Sequence, residues 1–181
     1  MVSVLFVCTG NVHRSVLAER LLARHAPGLR VSSAGTEAVR GAGMDAATRS
    51  VLARFGATGP GFVSRQLTEE LVAGSDLVLG LAREHREAAV RLCPSALRRC
   101  FTLREFVRLT GAVQPEPGAG AVAAAAAARG RLPVPAAGAD DIADPWEQGY
   151  DVLRECAEDI NAAVVEVAHR LSRPELPVRT G

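Results

Sequence analysis

Hydrophobic positions along the chain fall into short solid runs and longer helical stripes. Residues 2–8 form an apolar run ending at Cys8, which predicts a parallel strand buried on both faces. Leu17, Leu21 and Leu22 share one face of 14–26, a predicted helix stopped by Pro27-Gly28. Further strands are expected at 29–34, 76–81 and 99–103. Helices are expected at 45–55, closed by Gly56, and at 68–73, opened by Thr68. Others are expected at 83–92, closed by Pro94, and from near Leu103 onward. A long helix over 147–172 puts Leu153, Cys156, Ile160, Val164, Val167 and Leu171 on one stripe. The stretch 36–43 reads as a loop, Gly59-Pro60-Gly61 as a turn, and 173–181 as a frayed tail.

Strands alternating with helices predict an α/β fold: one domain over 1–181, with a parallel sheet covered on both faces. Its loops at the carboxyl ends of the strands are where such sheets bind ligands. Residues 114–139 break the pattern, being dominated by Ala, Gly and Pro. They predict a surface insertion whose middle, 121–129, has strong helix propensity but little to bury.

Composition narrows the function. The chain has 181 residues, 48% hydrophobic and 23% charged, as expected of a globular protein with a real core. A net charge of +1 gives no bulk electrostatic case for nucleic acid or an acidic membrane. No run reaches the ~18 apolar residues of a membrane span, and the N-terminus lacks the basic region of a signal peptide, so the expected location is cytoplasmic. All 21 basic residues are arginine. Walker-type and Schiff-base lysine chemistry is thereby excluded, while arginine-based phosphate binding stays open. Cys8, Cys93, Cys100 and Cys156 form no CxxC pair and no zinc spacing, so free thiols and no metal or cofactor are expected.

The chemistry centres on Cys8-Thr9-Gly10-Asn11-Val12-His13-Arg14-Ser15, between the first strand and the first helix. Backbone N–H groups of such a loop, backed by a helix N-terminus, can converge on a tetrahedral dianion. The same positive field favours a thiolate at Cys8. Arg14 can offer a bidentate fork to phosphate oxygens, and Ser15 can donate to the cysteine sulfur. Gly10 is expected to supply the sharp turn, and Asn11 an amide that holds the loop together. The arrangement points to phosphoryl transfer to sulfur.

With Ala18-Glu19 behind it, this loop resembles the signature of the low-molecular-weight protein-tyrosine phosphatases. Ser33-Ala34-Gly35-Thr36, Ser64-Arg65-Gln66-Leu67, Asp76-Leu77-Val78-Leu79 and Asp144-Pro145-Trp146 fall in that family's order. The resemblance implies a doubly wound four-stranded parallel sheet with helices on both faces. It implies Cys8 as nucleophile, with Arg14 and the residues from Thr9 to Ser15 as the phosphate site. It further implies Asp144 as the acid that protonates the leaving group and then activates water. Asp144 also reads as a helix N-cap, with Pro145 at the first helical position and Glu147 at the third; Asp140 and Asp141 are competing acids. Val12, Val39, Trp146 and Tyr150 are candidate walls of a deep substrate slot. Trp146 reads equally well as core beneath the last helix.

The chain departs from the family pattern at Val16, where a proline is usual, and at His13, where a second cysteine often allows a protective disulfide. It also departs at Phe62, where a histidine usually supports the loop asparagine, so Asn11 is expected to be held differently, through Ser33. At Val39 a tryptophan is usual. The last feature resembles the bacterial subclass associated with polysaccharide-export tyrosine kinases, which makes a phosphotyrosine protein, such as a bacterial tyrosine kinase, the implied partner. Phosphotyrosine is the expected substrate, with phosphoarginine or a small phosphate ester as alternatives. An arsenate reductase relaying through Cys93 and Cys100, and a binding relative with little catalysis, stay open too. Oligomeric state is not legible in the residues.

Overall fold

A computed structural model describes residues 1–58 and 61–172. The turn expected at 59–61 falls mainly outside that description, and the tail at 173–181 falls outside it entirely.

Four parallel strands, β1 (Ser3–Cys8), β2 (Arg30–Gly35), β3 (Leu77–Gly80) and β4 (Cys100–Thr102), lie in the order β2-β1-β3-β4. Val4 pairs with Val31 on one side and with Leu77 on the other. Strand alternation sends Val4, Phe6 and Cys8 to one face and Leu5 and Val7 to the opposite face. The first face packs against α1 (Arg14–His25), α2 (Ala46–Arg54), α5 (Leu103–Val113), α6 (Ala119–Ala128) and α7 (Tyr150–Leu171). The second packs against α3 (Glu69–Ala73), α4 (Arg83–Leu92) and a 3-10 turn, Pro94–Arg99. The fold is the doubly wound α/β sheet that the resemblance implied. Its strand order reverses beside β1, so the β1–α1 loop opens at the switch point of the sheet.

Local side-chain caps account for the starts of α2, α3 and α5. Asp45 accepts from the Thr48 N–H at 3.0 Å to start α2. Thr102 and Glu105 form a reciprocal capping box that starts α5. Two expectations change. The last helix begins at Tyr150, not near 147, because Glu147 is left-handed (φ 57°) and Gly149 has φ 88°. The region 114–139 has more to bury than its composition suggests: Ala121, Val122, Ala125 and Ala128 of α6 enter the main core. Small side chains let α6 approach closely. Arg129 then ties its end to Glu105 (2.8 Å) and to the Cys100 carbonyl (2.7 Å), with its guanidinium 4.2 Å from the Phe101 ring centroid.

Candidate active site

The loop between β1 and α1 closes into a cradle held from behind. Asn11 takes its left-handed conformation (φ 51°), which Asn tolerates better than most residues. Gly10 has no positive φ, so the sharp turn assigned to it falls on Asn11. The Asn11 amide donates to Ser15 Oγ and Ser33 Oγ, both at 2.9 Å, and its Oδ1 accepts from the Arg65 N–H at 3.0 Å. Ser33 Oγ in turn donates to Glu19 at 2.5 Å. Phe62 makes none of these bonds; it is buried near the Arg20 guanidinium, 5.8 Å from ring centroid to Cζ. Gly35 allows the loop to press on β2: a Cβ there would stand 2.4 Å from the Thr9 carbonyl oxygen and 2.9 Å from the Asn11 nitrogen.

Cys8, Thr9, Gly10, Val12, His13 and Arg14 line a slot of about 270 Å³ with Glu37, Val39, Asp144 and Trp146. Cys8 Sγ lies 3.0 Å from Ser15 Oγ. Asn11 and Ser15 are fully buried behind the slot rather than in it. Trp146 is 54% exposed and its ring lies 5.7 Å from that of His13, so it forms a wall and not core. Tyr150 does not line the slot; its hydroxyl lies 3.4 Å from Ser50 Oγ on α2. No residue of 114–139 lines it either.

Arg14, 5% exposed, donates to the Ile142 carbonyl (3.2 Å) and to Asp144 Oδ2 (2.5 Å). The Asp144 loop is fastened to the sheet by the Ile142 N–H, which donates to the Leu81 carbonyl at 2.8 Å. Asp144 Oδ1 accepts from the Trp146 N–H two residues on, at 3.2 Å, an Asx turn rather than the helix cap the spacing suggested. The competing acids are engaged elsewhere. Asp140 pairs with Arg108 at 2.7 Å, and Asp141 accepts from the Arg83 N–H at 2.8 Å, capping α4 from 58 residues away.

Two histidines flank the cradle. His13 Nδ1 lies 2.6 Å from Thr48 Oγ1 and 3.8 Å from Asp45. Burial lowers its pKa against the opposing pull of Asp45 and Asp144. His85 on α4 was not singled out by sequence. It is 1% exposed and its Nε2 lies 3.0 Å from Thr9 Oγ1. Burial, then the charge of Arg14, pushes its pKa down to about 4, so the ring is neutral near pH 7.

Cys93 ends α4 and Cys100 lies in β4; both are buried, and neither lines the slot. Burial pushes Cys100 up to about 11, the reverse of an activated relay thiol. Cys156 packs in the core beside the Asp144 loop and is pushed up to about 12, again by burial. Among the described residues, no group of three or more His, Cys, Asp or Glu is placed to hold a metal ion, and no helix is long and apolar enough to cross a membrane.

The family profile for low molecular weight phosphotyrosine protein phosphatase matches residues 3–118. Wzb, a low molecular weight protein-tyrosine-phosphatase of Escherichia coli K12, is 42% identical over 94 residues, 52% of this chain and 62% of Wzb. The chain therefore spans less than two thirds of that relative's length. A protein-arginine-phosphatase of Geobacillus stearothermophilus is 35% identical over 169 residues, 93% of this chain and 95% of that one. The crystal structure of the Erwinia amylovora tyrosine phosphatase AmsI superposes with a TM-score of 0.74 at 25% identity, covering 96% of this chain and 95% of the other.

Proposed function

Because the chain belongs to the low molecular weight phosphotyrosine protein phosphatase family, we propose that it hydrolyses phosphotyrosine in proteins through a thiophosphate intermediate on Cys8. In the first step the Cys8 thiolate attacks phosphorus in line; the S–P bond forms as the bond to the tyrosyl oxygen breaks. Asp144 gives its proton to that oxygen. Arg14 and the loop N–H groups hold the three equatorial oxygens while charge redistributes. In the second step water attacks the thiophosphate, Asp144 takes its proton, and the thiolate leaves with the Ser15 hydroxyl donating to it.

The observation that carries this reading is one slot holding Cys8 at its base and Arg14 with Asp144 at its side. Its walls, Val12, Val39 and Trp146, offer apolar and aromatic surface to a phenyl ring. The reach to a recessed sulfur suits phosphotyrosine better than the shorter phosphoserine. We place the protein in the cytoplasm, acting as one phosphatase domain on a phosphotyrosine protein such as a bacterial tyrosine kinase. A second reading is phosphoarginine, favoured by the span of the Geobacillus arginine phosphatase, which aligns with 93% of this chain.

Kinetics on purified protein separate these readings. Phosphotyrosine peptide is expected to give the highest kcat/KM among phosphotyrosine peptide, phosphoarginine peptide, small alkyl phosphates and arsenate, with turnover abolished in Cys8→Ser. Preference for phosphoarginine installs the second reading. Tight phosphotyrosine binding by the unsubstituted protein without turnover would make the chain a binding relative.

A further inference from the structure

A second concavity of about 640 Å³ adjoins the catalytic slot. Thr9 and Glu37 line both, so they form the ridge between them. Beyond the ridge the groove is lined by Gln66, Glu84, His85 and Arg91, among others. The slot itself, at about 270 Å³, has room for one phosphorylated side chain. The polypeptide bearing that side chain must leave over the slot's rim, and the Thr9–Glu37 ridge opens directly into the larger groove.

The ridge is rigidly held. The Glu37 N–H donates to the Thr9 carbonyl at 2.9 Å. The Gln66 side chain brackets Glu37 by donating to the Thr36 carbonyl at 2.6 Å and accepting from the Ala38 N–H at 3.1 Å. The backbone of Glu37 is therefore fixed before any ligand arrives, while its carboxylate has no ion pair among the described residues. Glu84, in the first turn of α4, is 74% exposed at its side chain; its nearest cationic candidate is His85 Nε2 at 3.5 Å. Arg91 lies seven residues further along α4, roughly 10 Å down the helix axis. The groove is thus acidic beside the slot and basic at its far end.

We infer that this groove is a substrate subsite, in which Glu37 and Glu84 receive a basic side chain adjacent to the phosphorylated residue of a protein substrate. The inference rests on the proposed protein phosphatase function and adds a charge preference to it. An acidic neighbour in the same place meets two carboxylates and is disfavoured. Both carboxylates are solvated, so the discrimination is modest and salt-sensitive.

The test compares phosphopeptides, with phosphotyrosine or phosphoarginine according to which is turned over, carrying Arg, Ala or Glu immediately before or after the phosphorylated residue. p-Nitrophenyl phosphate, which has no flanking residue, serves as the reference. At low salt kcat/KM is expected to favour Arg over Glu by about 3- to 10-fold at one of the two positions. Glu84→Gln is expected to shrink that ratio while leaving p-nitrophenyl phosphate turnover unchanged, and Glu84→Lys to invert it. Raising salt to 0.5 M is expected to bring the ratio toward one. Peptide turnover indifferent to the neighbouring charge, or a ratio unaffected by both Glu84 variants, overturns the subsite while the phosphatase reading stands. Turnover of p-nitrophenyl phosphate with no peptide hydrolysed overturns the protein-substrate reading and the subsite together.

Discussion

Arg14 and Asp144, 130 residues apart in sequence, meet at 2.5 Å on the wall of the cradle. Arg14 is almost fully buried while Asp144 is half exposed, so the guanidinium is fixed and the carboxylate is the member with room to turn. The Asx turn with Trp146 and the Ile142–Leu81 bond hold the Asp144 loop, and the Asp144 carboxylate bonds Trp146 and Arg14, not the first turn of α7. A capping carboxylate would have been spent on helix N–H groups; this one lines the slot beside Arg14.

Asp144→Asn is therefore expected to lower turnover of phosphotyrosine, a poor leaving group, by about 10²- to 10⁴-fold. p-Nitrophenyl phosphate, whose leaving group needs less protonation, is expected to lose less. Steady-state kinetics on both substrates, with urea denaturation alongside, measure this. Unchanged turnover with lowered stability would assign Asp144 to structure and place the acid elsewhere.

The hydrogen-bond system behind the loop supports a second prediction. Asn11 is fully buried, left-handed and bonded to Ser15, Ser33 and the Arg65 N–H. Asn11→Ala strands these partners and keeps the unfavourable φ, at a cost of about 2–4 kcal/mol in stability. Ser33→Ala removes one hydroxyl and is expected to cost about 1 kcal/mol. Gly35→Ala puts a Cβ against Thr9 and Asn11 and is expected to reduce kcat/KM more than stability, because the loop can yield but then loses its shape. Chemical denaturation and phosphatase assays on the three variants decide the matter. Native kcat/KM in Gly35→Ala would mean that the cradle tolerates displacement.

How much of this was legible in the sequence follows from chain distance. Residues 8–15 are contiguous, so a nucleophile, an arginine and a hydroxyl could be read as one cradle. Strand and helix runs were legible because the apolar face of each repeats at its own period. Ser33, 22 residues from Asn11, could be named as its partner only through the family resemblance, and Arg65, 54 residues away, was not named as one because only folding brings it to the amide. Asp141 capping α4 across 58 residues leaves no local signature, so Asp140, Asp141 and Asp144 could be ranked only by the Pro145-Trp146 that follows the last of them. The Thr102-x-x-Glu105 capping box was a readable local signal for the start of α5. The alanines of α6 carried no stripe, because an all-small helix looks alike on every face; α5 and α7 decide which side is buried.

His85 supports the third prediction. Its imidazole is buried on Thr9 and faces the charges of Arg14, Asp144 and Glu84. Its Nδ1 is buried with no hydrogen-bond partner, which adds to the cost of charging the ring. Its pKa is about 4 in the folded protein and near the ordinary imidazole value of 6.5 in the unfolded chain. Between those values the unfolded state binds a proton that the folded state does not, so stability rises with pH across the window and falls on acidification from 6.5 toward 4. The full effect is about 3 kcal/mol at the upper end of the window. His13, whose pKa is also lowered, contributes with the same sign. Urea denaturation at several pH values between 4 and 7 is expected to show this slope, and His85→Leu to flatten it by up to one proton's worth. In the same variant Thr9 Oγ1 loses its imidazole partner at the slot's ridge, so kcat/KM at pH 7 is expected to fall even where stability does not. An unchanged pH slope in His85→Leu would assign the acid sensitivity to His13 and the carboxylates instead.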